Sequence, residues 1–156
     1  MTSLEIALIR RSFARAFMAK ANIAKCFYAD LFLRAPDLRR IFPREMGPQQ
    51  DKLNDMIATL VRESHRGESL SGPLRNMAIR HVAYGARPEH FPFLRDALVH
   101  ALRTQIPGGL VQAEVEAWIA GFDWVAGQMI PAMEAELAER RSAAIIGSDR
   151  VSDFSR

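Results

Sequence analysis

Gln49-Gln50-Asp51-Lys52-Leu53-Asn54-Asp55-Met56-Ile57-Ala58-Thr59-Leu60-Val61 reads as one amphipathic helix. Leu53, Met56, Ile57, Leu60 and Val61 recur at i, i+3, i+4, i+7 and i+8 and line a single face of a 3.6-residue turn. Pro48, just before, suits a first helical turn, where a missing N–H costs nothing. Gln49 lies four residues before Leu53 and so falls on the same inward side.

The same period extends in both directions. Ser3 is expected to cap a first helix, with Ile6, Ile9, Phe13 and Phe17 at helical spacing. A second helix is predicted from about Ala19 to Arg34, with Ala24, Phe27, Tyr28 and Leu31 on one face. Ala35-Pro36 ends it, because the residue before proline avoids the helical region. Pro36 opens a short helical segment closing near Phe42, and residues 43–48 form a loop. Ser64 to Gly72 is polar, holds two glycines and reads as a loop. Leu74, Met77, Ala78 and His81 form another stripe, and Gly85, Pro88 and Pro92 punctuate the turn after it. Leu94, Leu98, Ala101 and Leu102 line the next helix, which Ile106-Pro107-Gly108-Gly109 closes. Val115, Trp118, Ile119, Phe122, Val125 and Met129 face inward on the last, where Pro131 is expected to kink or end the helix. Residues after about Arg140 are small and polar and should fray. No segment shows the alternation of a strand, so the fold class is all-α.

Composition supports one packed domain. The chain has 156 residues, 49% hydrophobic and 25% charged, enough to bury a core. Its aromatic residues are lopsided, with nine Phe against two Tyr and two Trp, and Phe suits a dry interior because it has no polar group to satisfy. A net charge of +3, scattered over short pairs such as Arg39-Arg40 and Arg140-Arg141, argues against nucleic acid as a partner. The lone Cys26 excludes a disulfide framework, a multi-cysteine zinc site and a CxxCH haem attachment. No run approaches about 18 uninterrupted apolar residues and no signal peptide is visible, so no membrane span and a cytoplasmic location are expected.

Three polar residues interrupt the apolar faces: Tyr28, Gln49 and His81. Each has an ordinary explanation alone. A core histidine often bonds a backbone carbonyl, a tyrosine points its hydroxyl at the rim, and a first-turn glutamine serves the helix end. Together they say more, since an unpartnered buried polar group costs roughly 1–3 kcal/mol. Three on facing helices ask for something polar inside an oily pocket, and an iron-bound diatomic ligand meets that demand. His81 follows Gln49 by 32 residues, the length of a helix, a loop and most of an antiparallel return.

Three stretches carry a family resemblance over roughly residues 5–137. Phe27-Tyr28-Ala29-Asp30-Leu31-Phe32-Leu33-Arg34-Ala35-Pro36-Asp37-Leu38-Arg39-Arg40-Ile41-Phe42, Gln49-Gln50-Asp51-Lys52-Leu53 and Arg80-His81-Val82-Ala83-Tyr84-Gly85-Ala86-Arg87-Pro88-Glu89-His90-Phe91 follow in order and spacing. The chain resembles the bacterial haemoglobins and the globin part of flavohaemoglobins. The resemblance implies a globin fold over residues 1–140, with 141–156 as a polar tail. It implies haem b, held non-covalently, with His81 as the proximal iron ligand. Tyr28, Gln49 and Leu53 would face the gas. Phe42, Lys52, Met56, Arg80, His90, Phe91, Leu94 and Val125 would surround the cofactor. Lys52, ten residues after Phe42, competes with Gln49 for the distal position; the 32-residue spacing favours Gln49, which leaves Lys52 for a haem propionate or for solvent.

Chemistry follows from those roles. A neutral imidazole ligates haem iron, and its second nitrogen should donate to a carbonyl or similar acceptor that fixes the ring. Tyr28 and Gln49 supply an O–H and an NH2 toward O2. Reversible oxygen binding is the leading expectation, with NO and CO as further ligands. The rival is nitric oxide dioxygenation fed by a separate reductase, and a haem-free helical interaction module is a third reading. Flavohaemoglobins carry a tyrosine and a glutamate behind the proximal histidine. Phe91 and Met133 stand at those places here, and Glu134, the next residue, lies about 100° away around a helix, so the resemblance does not extend to a strong proximal push. No flavin domain is visible, and an oligomer is compatible with the chain.

Overall fold

Helix formation begins with a reciprocal cap one residue earlier than expected. Thr2 Oγ1 accepts the Glu5 N–H at 3.2 Å, and the Thr2 N–H donates to Glu5 Oε2 at 2.6 Å. Thr2 displaces Ser3 because a capping box needs Glu or Gln three residues on; counting from Ser3 gives Ile6. The computed structural model describes the backbone of residues 1–152 and the side chains of residues 1–145. Within these it contains helices α1 (Ser3–Ala16), α2 (Lys20–Arg34), α3 (Gly47–Glu63), α4 (Ser71–Ala83), α5 (Phe91–Gln105) and α6 (Gln112–Ser152), and no strand. No helix is long and apolar enough to cross a membrane among the described residues.

Local chemistry sets most of the boundaries. Ala35 sits at φ −137°, ψ 75° before Pro36, which opens a 3-10 turn over Pro36–Ile41. Phe17 departs from the expected first-helix face. It lies in a 3-10 turn between α1 and α2, is 59% exposed, and has the Lys20 ammonium 5.0 Å from its ring centroid. The segment Ser64–Leu70 is not a plain loop but a 3-10 turn interrupted at Gly67 (φ 51°, ψ −121°). Gly85 closes the corner after α4 at φ +98°, where a Cβ would stand 3.1 Å from Ile41 Cγ2.

Pro131 does not end α6. Helix continues on both sides of it, and Pro131 and Gly127, the residue one turn earlier, both face solvent. Water can therefore satisfy the freed carbonyl, while Met129 and Met133 stay packed against α4 on the other face. The helix also runs past Arg140, where fraying was expected, through Ser152; residues 153–156 of the expected tail lie outside the described residues.

The core divides in two. One cluster joins α1, α2, α5 and the start of α6 around Leu31, Leu102 and Trp118, with the Trp118 Nε1–H donating to Ser12 Oγ at 2.9 Å. The other joins α4 to the middle of α6 through Leu74, Ala78, Val82, Met129 and Met133, with Phe91 at its edge. Helix α3 packs on α2 and α1, whereas α4 packs on α6. The apolar stripe of α3 is accordingly only half-buried at Leu53, Met56, Ile57 and Leu60, and Met77 of α4 is half-buried opposite it. A cleft of about 270 Å³ separates the two helices along Met56, Leu60, Leu74 and Met77.

Candidate haem pocket

Tyr28 stands on the inner face of α2, 5% exposed, among aromatic rings. Phe27 and Phe42 meet it edge-on at 4.9 and 5.5 Å, and Phe32 stacks at 6.0 Å. Burial pushes the phenol up from its ordinary pKa, opposed by a bond from Gln49, so Tyr28 stays protonated at neutral pH. Its oxygen accepts from Gln49 Nε2 at 3.2 Å, and its hydroxyl donates over a long 3.5 Å to the Gln49 main-chain carbonyl. Two residues separated by a helix, a turn and a loop thus meet directly. The Gln49 side chain does not serve the start of α3, whose N-cap Met46 makes no side-chain bond.

Phe42 closes this wall from the end of the Pro36–Ile41 turn, edge-on to Phe32 at 5.4 Å. The loop carrying it is held by Arg39. Nη1 donates to the carbonyls of Phe42 (3.2 Å) and Pro43 (3.0 Å), Nη2 to that of Arg44 (3.1 Å), and the guanidinium lies 5.5 Å from the Phe32 centroid. Sequence reading did not find this clamp, because Arg39 looks like one of two neighbouring surface cations. Leu53 follows Gln49 by one turn and packs on the first core cluster, as does Leu94 of α5. Lys52 is exposed.

The remaining candidates lie on α4 and beyond it. His81 is half-buried, with Nδ1 2.8 Å from the Met77 carbonyl oxygen. A carbonyl can only accept, so Nδ1 carries a proton, and the neutral ring then keeps its lone pair on Nε2. Phe91 (9% exposed) and Met133 (fully buried) both lie in the apolar cluster on this side, with Phe122 edge-on to Phe91 at 6.1 Å. Met133 brings no charge, and Glu134 points to solvent. His81 is therefore oriented by a neutral acceptor. Val125 is half-buried on the same cluster, and Met56 lines the cleft between α3 and α4. His90, at the corner after α4, accepts the Arg87 main-chain N–H at Nδ1 (3.1 Å), and burial pushes its pKa below the ordinary imidazole value. Arg80 faces solvent.

Tyr28, Gln49, Phe42 and Leu53 thus meet at the first core cluster, Phe91 and Val125 lie with the second, and His81 contacts Met77 and Tyr84 of its own segment rather than the Tyr28 group. The donor set suits a porphyrin: one imidazole lone pair, one phenol and one amide beside half-buried apolar side chains.

Residues 25–129 match the globin family. The flavohemoprotein of Rhizobium meliloti is 29% identical over 121 residues, covering 76% of this chain and 30% of that protein. The chain spans about a third of the length of the curated flavohemoproteins it matches. In three dimensions it is similar to an engineered carbene transferase from Rhodothermus marinus (TM-score 0.80, 20% identity, 90% of this chain and 99% of that one). It is also similar to a bacterial globin from Campylobacter jejuni (TM-score 0.74, 22% identity, 86% and 97%). Haem binding and the capture of small gases fit this family. By sequence and by fold, the chain belongs to the globin family.

Proposed function

We propose that the chain binds molecular oxygen reversibly at haem b held without covalent attachment, with residues 1–140 as the globin domain and the protein working in the cytoplasm. The bonded pair of Tyr28 and Gln49 carries this reading. Haem would supply an iron able to take a diatomic gas. His81 would hold that iron through Nε2, with the Met77 carbonyl fixing the angle of the ring. The Gln49 amide donates to the Tyr28 oxygen, and the phenol proton, held only by a long 3.5 Å bond to the Gln49 carbonyl, is the donor available to the gas. The second Gln49 N–H remains free to donate. Phe42, Leu53, Met56, Phe91, Leu94 and Val125 keep water away. Lys52, exposed one turn after Gln49, would pair a cofactor carboxylate, and Arg80 and His90 complete the residues assigned to the cofactor.

A donor aimed at partly anionic oxygen is worth about 1.5–3 kcal/mol, roughly one to two decades in release rate. Carbon monoxide draws less charge and gains less. In Tyr28→Phe, oxygen release from the ferrous protein should rise about 10- to 100-fold while carbon monoxide release stays nearly constant. Equal acceleration of both gases refutes the assignment. In His81→Ala, haemin titration should give no stable Soret band; a normal spectrum would show that another residue holds the iron.

Nitric oxide dioxygenation, with electrons from a separate reductase, is the second reading, and the flavohemoprotein relatives support it. The apolar pair Phe91 and Met133 ranks it below oxygen binding, because the proximal imidazole bonds only a neutral carbonyl.

A further inference from the structure

Helix α4 buries Leu74, Ala78 and Val82 and leaves its other side bare. Two adjacent stripes, Arg75-Ile79-Ala83 and Asn76-Arg80-Tyr84, are exposed at all six positions. Ile79 is 41% and Tyr84 67% accessible, a large apolar content for an unpartnered helix face. The helix itself carries only positive charge. Residues 69–88 contain Arg75, Arg80 and Arg87 and no Asp or Glu. Among the described residues none of these three has a carboxylate within ion-pair distance, whereas Arg11, Arg15, Arg34, Arg62, Arg66, Arg95 and Arg140 each do. Tyr84 also stands edge-on to the His81 ring, 6.5 Å between centroids. An exposed aromatic ring thus stands beside the imidazole assigned to iron.

We infer that this face docks an acidic electron-donating protein, a flavodoxin-type partner with carboxylates around its redox centre. Arg75 and Arg80 steer the partner, Ile79 and Tyr84 form the dry centre of the contact, and the ring of Tyr84 shortens the route to His81. One electron passes from the reduced flavin of the partner to ferric haem iron, which becomes ferrous; the flavin is oxidised by one electron and no atom is transferred. The inference rests on the proposed haem site. An anionic membrane would also be drawn to these arginines, but it would make no use of Tyr84 beside His81.

The test uses the haem-loaded chain and a reduced, acidic flavodoxin as probe. Haem loading is checked first by the Soret band, so failure of the haem assignment is seen separately. Stopped-flow reduction should obey second-order kinetics and slow at least about tenfold as salt rises. Arg75→Glu/Ile79→Glu should lower that constant about tenfold and leave reduction by dithionite unchanged. Carbodiimide cross-linking should join flavodoxin to α4 in the natural chain and not in the double variant. Tyr84→Ala should lower the limiting rate at saturating flavodoxin, which a purely electrostatic surface would leave alone. A salt-independent rate, a double variant that reacts and cross-links normally, or phosphatidylglycerol vesicles binding this face while flavodoxin does not would each overturn the inference.

Discussion

Replacing Glu114 by Gln tests how α6 is tied to the rest of the domain. The Glu114 side chain is 1% exposed, yet five donor contacts reach it. Arg15 approaches at 3.0 and 2.8 Å, Arg11 at 3.3 and 3.1 Å, and the Val111 N–H at 3.2 Å. The bonds from Arg15, then those from Val111 and Arg11, outweigh burial and hold the carboxyl at a pKa of about 2. Against an ordinary glutamate value of about 4.3, the difference is on the order of 3 kcal/mol of folding stability. Arg11 and Arg15 are 64% and 38% exposed, so solvent screening reduces the expectation to about 2 kcal/mol. The sign follows from a lowered pKa: the contribution is complete above the unfolded value and disappears as pH falls from there toward 2. Urea unfolding followed by circular dichroism, at fixed haem loading, should show Glu114→Gln less stable by about 2 kcal/mol at pH 7. The gap should narrow steadily below pH about 4. A deficit that is equally large at low pH, or absent at pH 7, would show that the ionised carboxylate is not what holds α1 to α6.

Three further outcomes follow from other contacts. Gln49→Leu removes the donor that orients Tyr28, so oxygen release should rise about tenfold, less than in Tyr28→Phe; a natural release rate would mean the phenol needs no partner. Gly85→Ala forces a side chain into positive φ and against Ile41, and should cost about 1–3 kcal/mol by urea titration; an unchanged midpoint contradicts the tight corner. Ser12→Ala strands the buried Trp118 N–H, with an expected loss of about 1–3 kcal/mol and an altered near-ultraviolet tryptophan signal; a neutral substitution would show that water replaces the hydroxyl.

Most helix positions and their inward faces were legible in one dimension. Apolar residues at 3.6-residue spacing, Ala35-Pro36 and the glycine-rich corners act through local sterics and solvent alone, so the buried faces of α2 and α5 are as their spacing implies. The sequence also marked Tyr28, Gln49 and His81, because polar groups on oily faces stand out in one dimension. What those groups touch was not legible there. Whether Gln49 serves its own helix or Tyr28, whether Arg39 is a surface cation or a clamp on the Phe42 loop, and whether Glu114 is solvated or held by two arginines about a hundred residues away depend on long-range approach. The same holds at Pro131, where local chemistry favours a break and packing of Met129 and Met133 carries the helix through. Hydrogen bonds and ion pairs act over a few ångströms, and sequence spacing does not encode those distances between separate helices.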